Sequence, residues 1–591
     1  MPDDAAPDSA ADRRLPGASP PRTGVFAWMP GLWVLRHYRR SWFPRDVVAG
    51  LVLTALLVPA GMGYAEAAGL PAITGLYATI APLLAYAIVG PSRILVYGPD
   101  SALAPLIAAA VIARGAGDPP RAIALAGVLA LMTGVLCVAA GVARAGFVTD
   151  LLSKPVRVGY TNGIALTVLV TQLPKLFGVS VAASDLVDGA VGFARAIVEG
   201  RTLPIALSIG GACLAFILVV RKVAPRVPGV LVAVVGATVT VAWLDLGDRI
   251  KVVGTVPRGV PLPAFPLVAA DDLGPLLVAA LGISVVSFAD SSVLSRTFAA
   301  RHGERVDPNR ELVALGIANV AAGLFRGFPI SSSASRTPVA ESAGSRTQLT
   351  GVVGAVTISL LLVVAPRLLA PLPTAALAAV VISAAIRLFD LAVIRVFYRV
   401  RRSDFVLTVV AFFAVAALGV LRGIAVAVAL SLLDVVRRAW RPHHAILGRA
   451  PGVKGYHDLK RYPNARQIPG LLLVRWDAPL FFANADLFRE RVVEMVTEAS
   501  SGVQWVVIAA EPITDVDTTA AEMLEELDKE LSLLGVELAF AEMKDPVKDR
   551  LERYGLQKKI GRDFFFPTLG VAVKAFRDRT GVAWTDWEDE L

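Results

Sequence analysis

Between Asp46 and about Arg438 the sequence is a succession of apolar blocks separated by short, mostly basic loops. No other feature limits the fold as much, because blocks of ~20 apolar residues match the hydrocarbon thickness of a bilayer. The chain is 55% hydrophobic and 18% charged, with mean hydropathy +0.62. Soluble domains average about 45–50% apolar and about 25% charged residues. An ordinarily charged segment then runs from Arg441 to Leu591. The expectation is a polytopic membrane domain followed by a soluble C-terminal one.

One stretch inside the apolar blocks is out of place. Gly327 to Thr337, GFPISSSASRT, breaks the chain at Gly327 and Pro329 and follows with hydroxyls and Arg336. Each unpaired polar group in hydrocarbon costs several kcal/mol, so protein or a water-filled cavity must surround this run. Free backbone N–H groups, serine hydroxyls and a guanidinium at the start of a short helix are the ingredients of an anion site. On a helix Ser332 and Arg336 would share one face, and Ser331 and Ser335 would share a second face one residue round. Two plainer readings stand beside this one. Small Ser and Ala residues let helices pack closely, and Arg336 could pair with Asp100, Asp290 or Glu341.

Hydropathy places clear spans at about 46–63, 71–89, 121–142, 203–221, 228–245, 273–292, 347–365, 371–387, 404–420 and 421–437. Weaker ones fall at 100–113, 156–173, 309–325 and 331–343, for an expected fourteen. With both termini cytoplasmic, Lys and Arg are concentrated in the inner loops. The net charge of +9 is therefore read as topology and lipid contact, not as a nucleic-acid footprint. Cys137 and Cys213 both lie in apolar segments, and the five histidines lack ligand spacing, so neither a disulfide framework nor a metal site is expected. No GxxxxGK[ST] loop is present, which argues against an ATP-driven pump on this chain. No catalytic constellation or cofactor motif is evident, so the expectation is that the protein is not an enzyme.

Residues 1–42 read as a disordered and interfacial N-terminal tail: 1–24 polar, and Phe26–Trp42 rich in Trp, Tyr and Arg. The transmembrane domain is placed at 43–440 and the soluble one at 441–591. A second Gly-Pro break occurs in YGPDSALAP, at Gly98-Pro99. The offset from Gly98 to Gly327 nearly equals that from Asp46 to Leu273, the starts of the first and eighth blocks. Each break is thus third in its half, and seven spans per half would invert the second half. Paired interruptions at corresponding positions of inverted halves point to a transporter's midplane site. The alternative is two unrelated Gly-Pro loops.

In the soluble part, Leu471–Trp476, Pro479–Ala483, Val503–Ala509 and Val536–Glu542 read as strands. Helices are expected over Ala485–Glu498, from about Asp517 onward, and over Pro546–Tyr554. This is a small α/β domain.

Pro59–Ile80 (PAGMGYAEAAGLPAITGLYATI), Gly90–Ala102 (GPSRILVYGPDSA) and Asn309–Thr337 resemble the sulfate permease (SulP) family of anion transporters. The C-terminal part resembles its attached STAS domain. The resemblance implies an all-α polytopic membrane domain of fourteen spans, a 7+7 inverted repeat divided into core and gate bundles, with a small α/β STAS domain. It also implies a homodimer in the plasma membrane (the bacterial inner membrane), and an anion held between the facing ends of the third and tenth spans. Carried onto this chain, Pro99, Asp100 and Ser101 stand at the third span, and Ser333, Ala334, Ser335 and Arg336 at the tenth. Tyr64 takes the first-span aromatic position. Ala60 stands where many members carry glutamine, and Asp290 where many prokaryotic members carry glutamate.

An isolated carboxylate in a span is by default functional. Asp290 is therefore assigned to a coupling ion, H+ before Na+, with pairing to Arg296 as the alternative. Asp100 either caps N–H groups, pairs with Arg336, or carries a second proton. Thr518, in DVDTTA, matches the position phosphorylated in anti-sigma antagonists, with plain helix capping as the alternative. The expected function is secondary transport of a small oxyanion, sulfate first. Bicarbonate with Na+, a dicarboxylate, or an anion channel or sensor with STAS output are the other readings.

Overall fold

The computed structural model describes residues 29–115, 117–146, 153–181, 186–224, 227–301, 306–333, 336–499 and 502–584. The polar tail expected over 1–24 lies outside them, as do Ala334 and Ser335. The chain divides into two compact units, Met1–Ser431 and Leu432–Leu591.

The first unit is helical. It begins with α1 (Pro30–Arg36), α2 (Phe43–Ala67), α3 (Ile73–Val89), α4 (Ala104–Gly115), α5 (Pro119–Val142), α6 (Lys154–Leu176), α7 (Leu186–Val198), α8 (Pro204–Val223) and α9 (Gly229–Trp243). It continues with α10 (Ala270–Arg301), α11 (Pro308–Leu324), α12 (Arg336–Ser342), α13 (Leu349–Val364), α14 (Thr374–Leu388), α15 (Leu391–Val400) and α16 (Arg402–Leu418). The last helix, α17 (Val420–Trp440), crosses the division between the units. Five helical stretches among the described residues are long and apolar enough to cross a membrane: Arg40–Ala67, Pro119–Val142, Pro204–Val223, Ala270–Arg301 and Thr374–Val400.

Helix starts follow local chemistry. Proline stands in the first turn of α5, α6, α8 and α11, where its missing N–H costs nothing. Asp307 caps α11 by accepting from the Asn309 N–H at 2.8 Å. Near the start of α2 the buried Asp46 accepts from Tyr38 Oη, Thr347 Oγ1, Thr350 Oγ1 and the backbone N–H groups of Arg346 and Thr347. A carboxylate so fully satisfied ties the start of α2 to the approach to α13.

Close packing of α5 on α11 depends on glycine. A Cβ on Gly316 would lie 2.6 Å from the Gly134 carbonyl oxygen, and one on Gly323 2.6 Å from that of Gly127. Both pairs advance by seven residues, so two turns of each helix keep the same seam without side chains between them.

The two Gly-Pro breaks meet. Tyr97–Gly98 (β1) and Ser331–Ser332 (β2) form a two-residue antiparallel ladder, Tyr97 opposite Ser332 and Gly98 opposite Ser331. Two expectations are corrected here. Residues 331–343 are not one helix, since Ser331 and Ser332 form β2 and α12 begins only at Arg336; Ser332 therefore does not share a helical face with Arg336, and Ser335, expected beside Ser331, lies outside the described residues. The third-span helix likewise begins at Ala104, leaving Pro99, Asp100 and Ser101 in the approach to it. Backbone pairing between the breaks has displaced the first turn that each isolated segment would have formed.

The second unit holds a six-stranded sheet of β3 (His444–Arg449), β4 (Tyr456–Asp458), β5 (Leu471–Trp476), β6 (Trp505–Ala509), β7 (Glu537–Ala541) and β8 (Phe565–Phe566), in the order β4-β3-β5-β6-β7-β8. Strands β5 to β8 are parallel, and β3 is antiparallel to both of its neighbours. Helices α18 (Ala485–Thr497), α19 (Thr518–Leu533), α20 (Asp545–Arg553), α21 (Leu556–Ile560) and α22 (Leu569–Thr580) complete it. Pro479–Ala483, expected as a strand, is instead a turn. Asn484 accepts from the Phe481 N–H at 3.0 Å and donates to the Pro479 carbonyl at 2.9 Å, closing the segment on itself. Only Leu480 makes a bridge, to Val516.

Candidate functional site

The meeting of β1 and β2 is held by side chains from several helices. Arg336, 2% exposed, donates through Nη2 to the carbonyls of Gly98 and Ser331, each at 3.1 Å, and through Nη1 to that of Pro99. One guanidinium thus staples both strands. Asn319 on α11 accepts from the Ile330 N–H at 2.9 Å and donates to the Ile330 carbonyl at 3.2 Å. Two turns earlier on α11, the wholly buried Glu311 accepts from Tyr97 Oη at 2.8 Å, Tyr86 Oη at 2.7 Å and Ser92 Oγ at 3.1 Å. α11 therefore acts as a splint, with Asn319 holding the approach to β2 and Glu311 holding β1. On the opposite side the Ser332 N–H donates to Ser291 Oγ of α10 at 3.3 Å.

A cavity of about 500 Å³ opens against this junction. Asp100, Ser101, Ser332 and Ser333 line it from the junction and Asp290 from α10. Lys154, Arg157, Thr161 and Asn162 of α6, Arg387 of α14 and Asp390 line it as well. Asp100 Oδ2 accepts from the Ala102 N–H at 3.1 Å, so this carboxylate caps the turn before α4. Asp290, half-buried on α10, stands within electrostatic reach of Asp100 and Arg157. Tyr64 is buried on α2 with its hydroxyl beside Ser101 and within electrostatic reach of Arg387.

The structure thus brings four of the sequence-derived residues, Asp100, Ser101, Ser333 and Asp290, to one cavity. Tyr64, Pro99 and Arg336 are not among the residues that line it. Ala334 and Ser335 lie outside the described residues. Thr518 is exposed at the first position of α19, 3.3 Å from Tyr554 Oη, while Asp517 caps that helix by accepting from the Ala520 N–H at 2.9 Å. Among the described residues no group of three His, Cys, Asp or Glu side chains is placed to hold a metal.

Sequence reasoning missed Glu311, Asn319 and the α6 wall. Glu311 is a carboxylate inside a span and could have been found by the rule that singled out Asp290. On α6, Lys154, Arg157, Thr161 and Asn162 recur at helical spacing, which puts them on one polar face of an otherwise apolar helix.

A family model described as the sulfate permease family matches residues 43–411, and one described as the STAS domain matches 462–572. A Mycobacterium tuberculosis protein named "probable sulfate transporter" is 44% identical over 555 residues, spanning 93% of this chain and 98% of that protein. An Arabidopsis thaliana protein named "probable sulfate transporter 4.2" is 31% identical over 577 residues, spanning 94% and 84%. Among solved structures, murine Solute Carrier 26 family member A9, titled as an anion transporter in the inward-facing state, superposes with a TM-score of 0.85 at 24% identity, covering 94% of each chain.

Proposed function

The chain belongs to the sulfate permease family, with a C-terminal STAS domain, and from that premise we propose that it is a secondary active transporter of a small oxyanion, sulfate first. The observation that carries this reading is the cavity at the β1–β2 junction, where Ser101 and Ser333 from two distant parts of the sequence face one space. Both names given to the relatives above are of sulfate transporters. Hydroxyl donors at a water-filled gap between interrupted spans can replace an oxyanion's hydration shell and still release it.

Coupling to protons through Asp290 completes the proposal. The cavity lining sets three carboxylates, Asp100, Asp290 and Asp390, against three basic groups, Lys154, Arg157 and Arg387. With all six ionised the lining is neutral, so an entering dianion leaves the space negative. A proton taken up by Asp290 offsets part of that charge, and the anion and proton travel together. The protein would sit in the plasma membrane with both termini cytoplasmic.

The test is uptake of labelled sulfate, bicarbonate and succinate by the purified protein in liposomes at two external pH values. Saturable sulfate uptake that quickens with an inward proton gradient supports the reading. Preference for another anion replaces sulfate, and linear, non-saturating flux replaces the carrier with a channel.

A further inference from the structure

Arg336 is the basic residue that the sequence offers to an anion, yet the two terminal nitrogens of its guanidinium are committed elsewhere. Both terminal nitrogens donate to backbone carbonyls, those of Gly98, Pro99 and Ser331. Turning it toward a ligand would leave those buried acceptors unpaired, at a cost of about 1–3 kcal/mol each. The junction side of the cavity meanwhile carries the carboxylates of Asp100 and Asp290. Seen from the cavity, that part of the lining presents serines, Ser333 beside the Asp100 carboxylate and Ser101 beside Tyr64, together with negative charge. An anion needs its positive charge from somewhere else.

The facing wall supplies it. Arg157 of α6 and Arg387 of α14 both line the cavity, and among the described residues neither makes an ion pair or a side-chain hydrogen bond. Arg157 stands within electrostatic reach of Asp290 on α10, and Arg387 of Tyr64 on α2. Arg157 belongs to the polar face of α6 that runs through Lys154, Arg157, Thr161 and Asn162. A polar face on a spanning helix must be turned to water or to protein, and this one is turned to the cavity. Asn162 on the same face is tethered, accepting from the Asp390 N–H at 3.2 Å and donating to the Val158 carbonyl at 2.7 Å. It is a fixed part of the wall; the two guanidiniums are not. A guanidinium presents a planar fork of donors that matches two oxygens of a tetrahedral oxyanion.

Resting on the transport reading above, we infer that Arg157 and Arg387 are the cationic half of the anion site, binding the charge of an oxyanion whose remaining oxygens face the Ser101–Ser333 side. The site is then split between walls. The neutral donors belong to the β1–β2 junction and the charge belongs to α6 and α14. Divalent oxyanions depend on both arginines, and monovalent anions depend on them less.

The experiment uses full-length protein in liposomes, first establishing which of sulfate, bicarbonate and succinate the parent carries. R157Q and R387Q are then compared with R157K and R387K using that anion. Loss of a charge-assisted pair raises KM by about tenfold or more in each glutamine variant. The expected kcat stays within about threefold, and lysine restores part of the affinity. To separate charge from folding, R157C is modified with a cationic or an anionic methanethiosulfonate; Cys137 and Cys213 are buried. The cationic reagent is expected to lower KM and the anionic one to raise it, a sign dependence that a structural role does not produce. If the parent carries none of the three anions and is not stabilised by them against heat, the transport reading fails and the inference with it. If the parent transports but the glutamine variants keep its KM, or both reagents act alike, the inference alone is overturned.

Discussion

Asn319 grips Ile330 by both of its backbone groups, accepting from the N–H at 2.9 Å and donating to the carbonyl at 3.2 Å. A primary amide fits this task because it offers one acceptor and two donors at fixed spacing. N319L leaves two buried backbone groups without partners, and the expected loss of stability is about 2 kcal/mol or more. Thermal unfolding of the purified variant measures it. N319Q places the same amide one methylene further out and is expected to recover only part of the loss. An unchanged midpoint for N319L means that this clamp is not under tension.

Arg336 is expected to behave as a brace. R336K retains the charge but cannot reach three carbonyls with a planar fork. Its expected signature is a lowered unfolding temperature and a lowered kcat with KM little changed. An elevated KM at unchanged stability would instead assign Arg336 to the anion directly.

Glu311 closes a buried network with Tyr86, Tyr97 and Ser92. E311L strands three hydroxyl donors, each costing about 1–3 kcal/mol when unpaired. Removing the donors as well should therefore help. The triple variant E311L/Y86F/Y97F is expected to be more stable than E311L alone, despite carrying more substitutions. A triple variant that is weaker than E311L argues that the network contributes nothing cooperative.

In the second unit, burial pushes the imidazole of His444 below its usual pKa, helped by the nearby cations Arg491 and Lys460 and by His443. A folded-state pKa below the unfolded one means that the unfolded chain takes up the proton first on acidification. Stability is accordingly unaffected well above pH ~6.5 and declines as pH falls below it. H444Q is expected to flatten this decline between pH 7.5 and 5.5, followed by the unfolding of the C-terminal unit. A variant that loses stability over that window as steeply as the parent places the sensitivity on another group.

Much of the architecture was legible from pattern. Apolar blocks announced the membrane unit, and Leu471–Trp476 matches β5 residue for residue. The Gly-Pro breaks at Gly98 and Gly327 point to the junction from sequence alone. What the chain did not reveal was their conformation. Ser332 has helical spacing to Arg336, yet it and Ser331 pair as strand because Tyr97 and Gly98 lie opposite them. That contact spans more than two hundred residues, and no local preference encodes it. Pro479–Ala483 failed for a local reason, the side-chain grip of Asn484 on its own turn. Within the site, the eye was drawn to Arg336 because it interrupts hydrocarbon. The cavity-facing Arg157 and Arg387 sit toward helix ends, where basic residues are ordinary.

The central claim is that an oxyanion and a proton share the cavity between Ser101, Ser333 and Asp290. It is tested most directly by counterflow of labelled sulfate in liposomes, for the parent and for D290N, with and without an inward proton gradient. The expected result is saturable exchange in both proteins, with acceleration by the gradient in the parent only. Gradient-driven uptake in D290N equal to the parent's, or no exchange of sulfate by the well-folded parent, would contradict it.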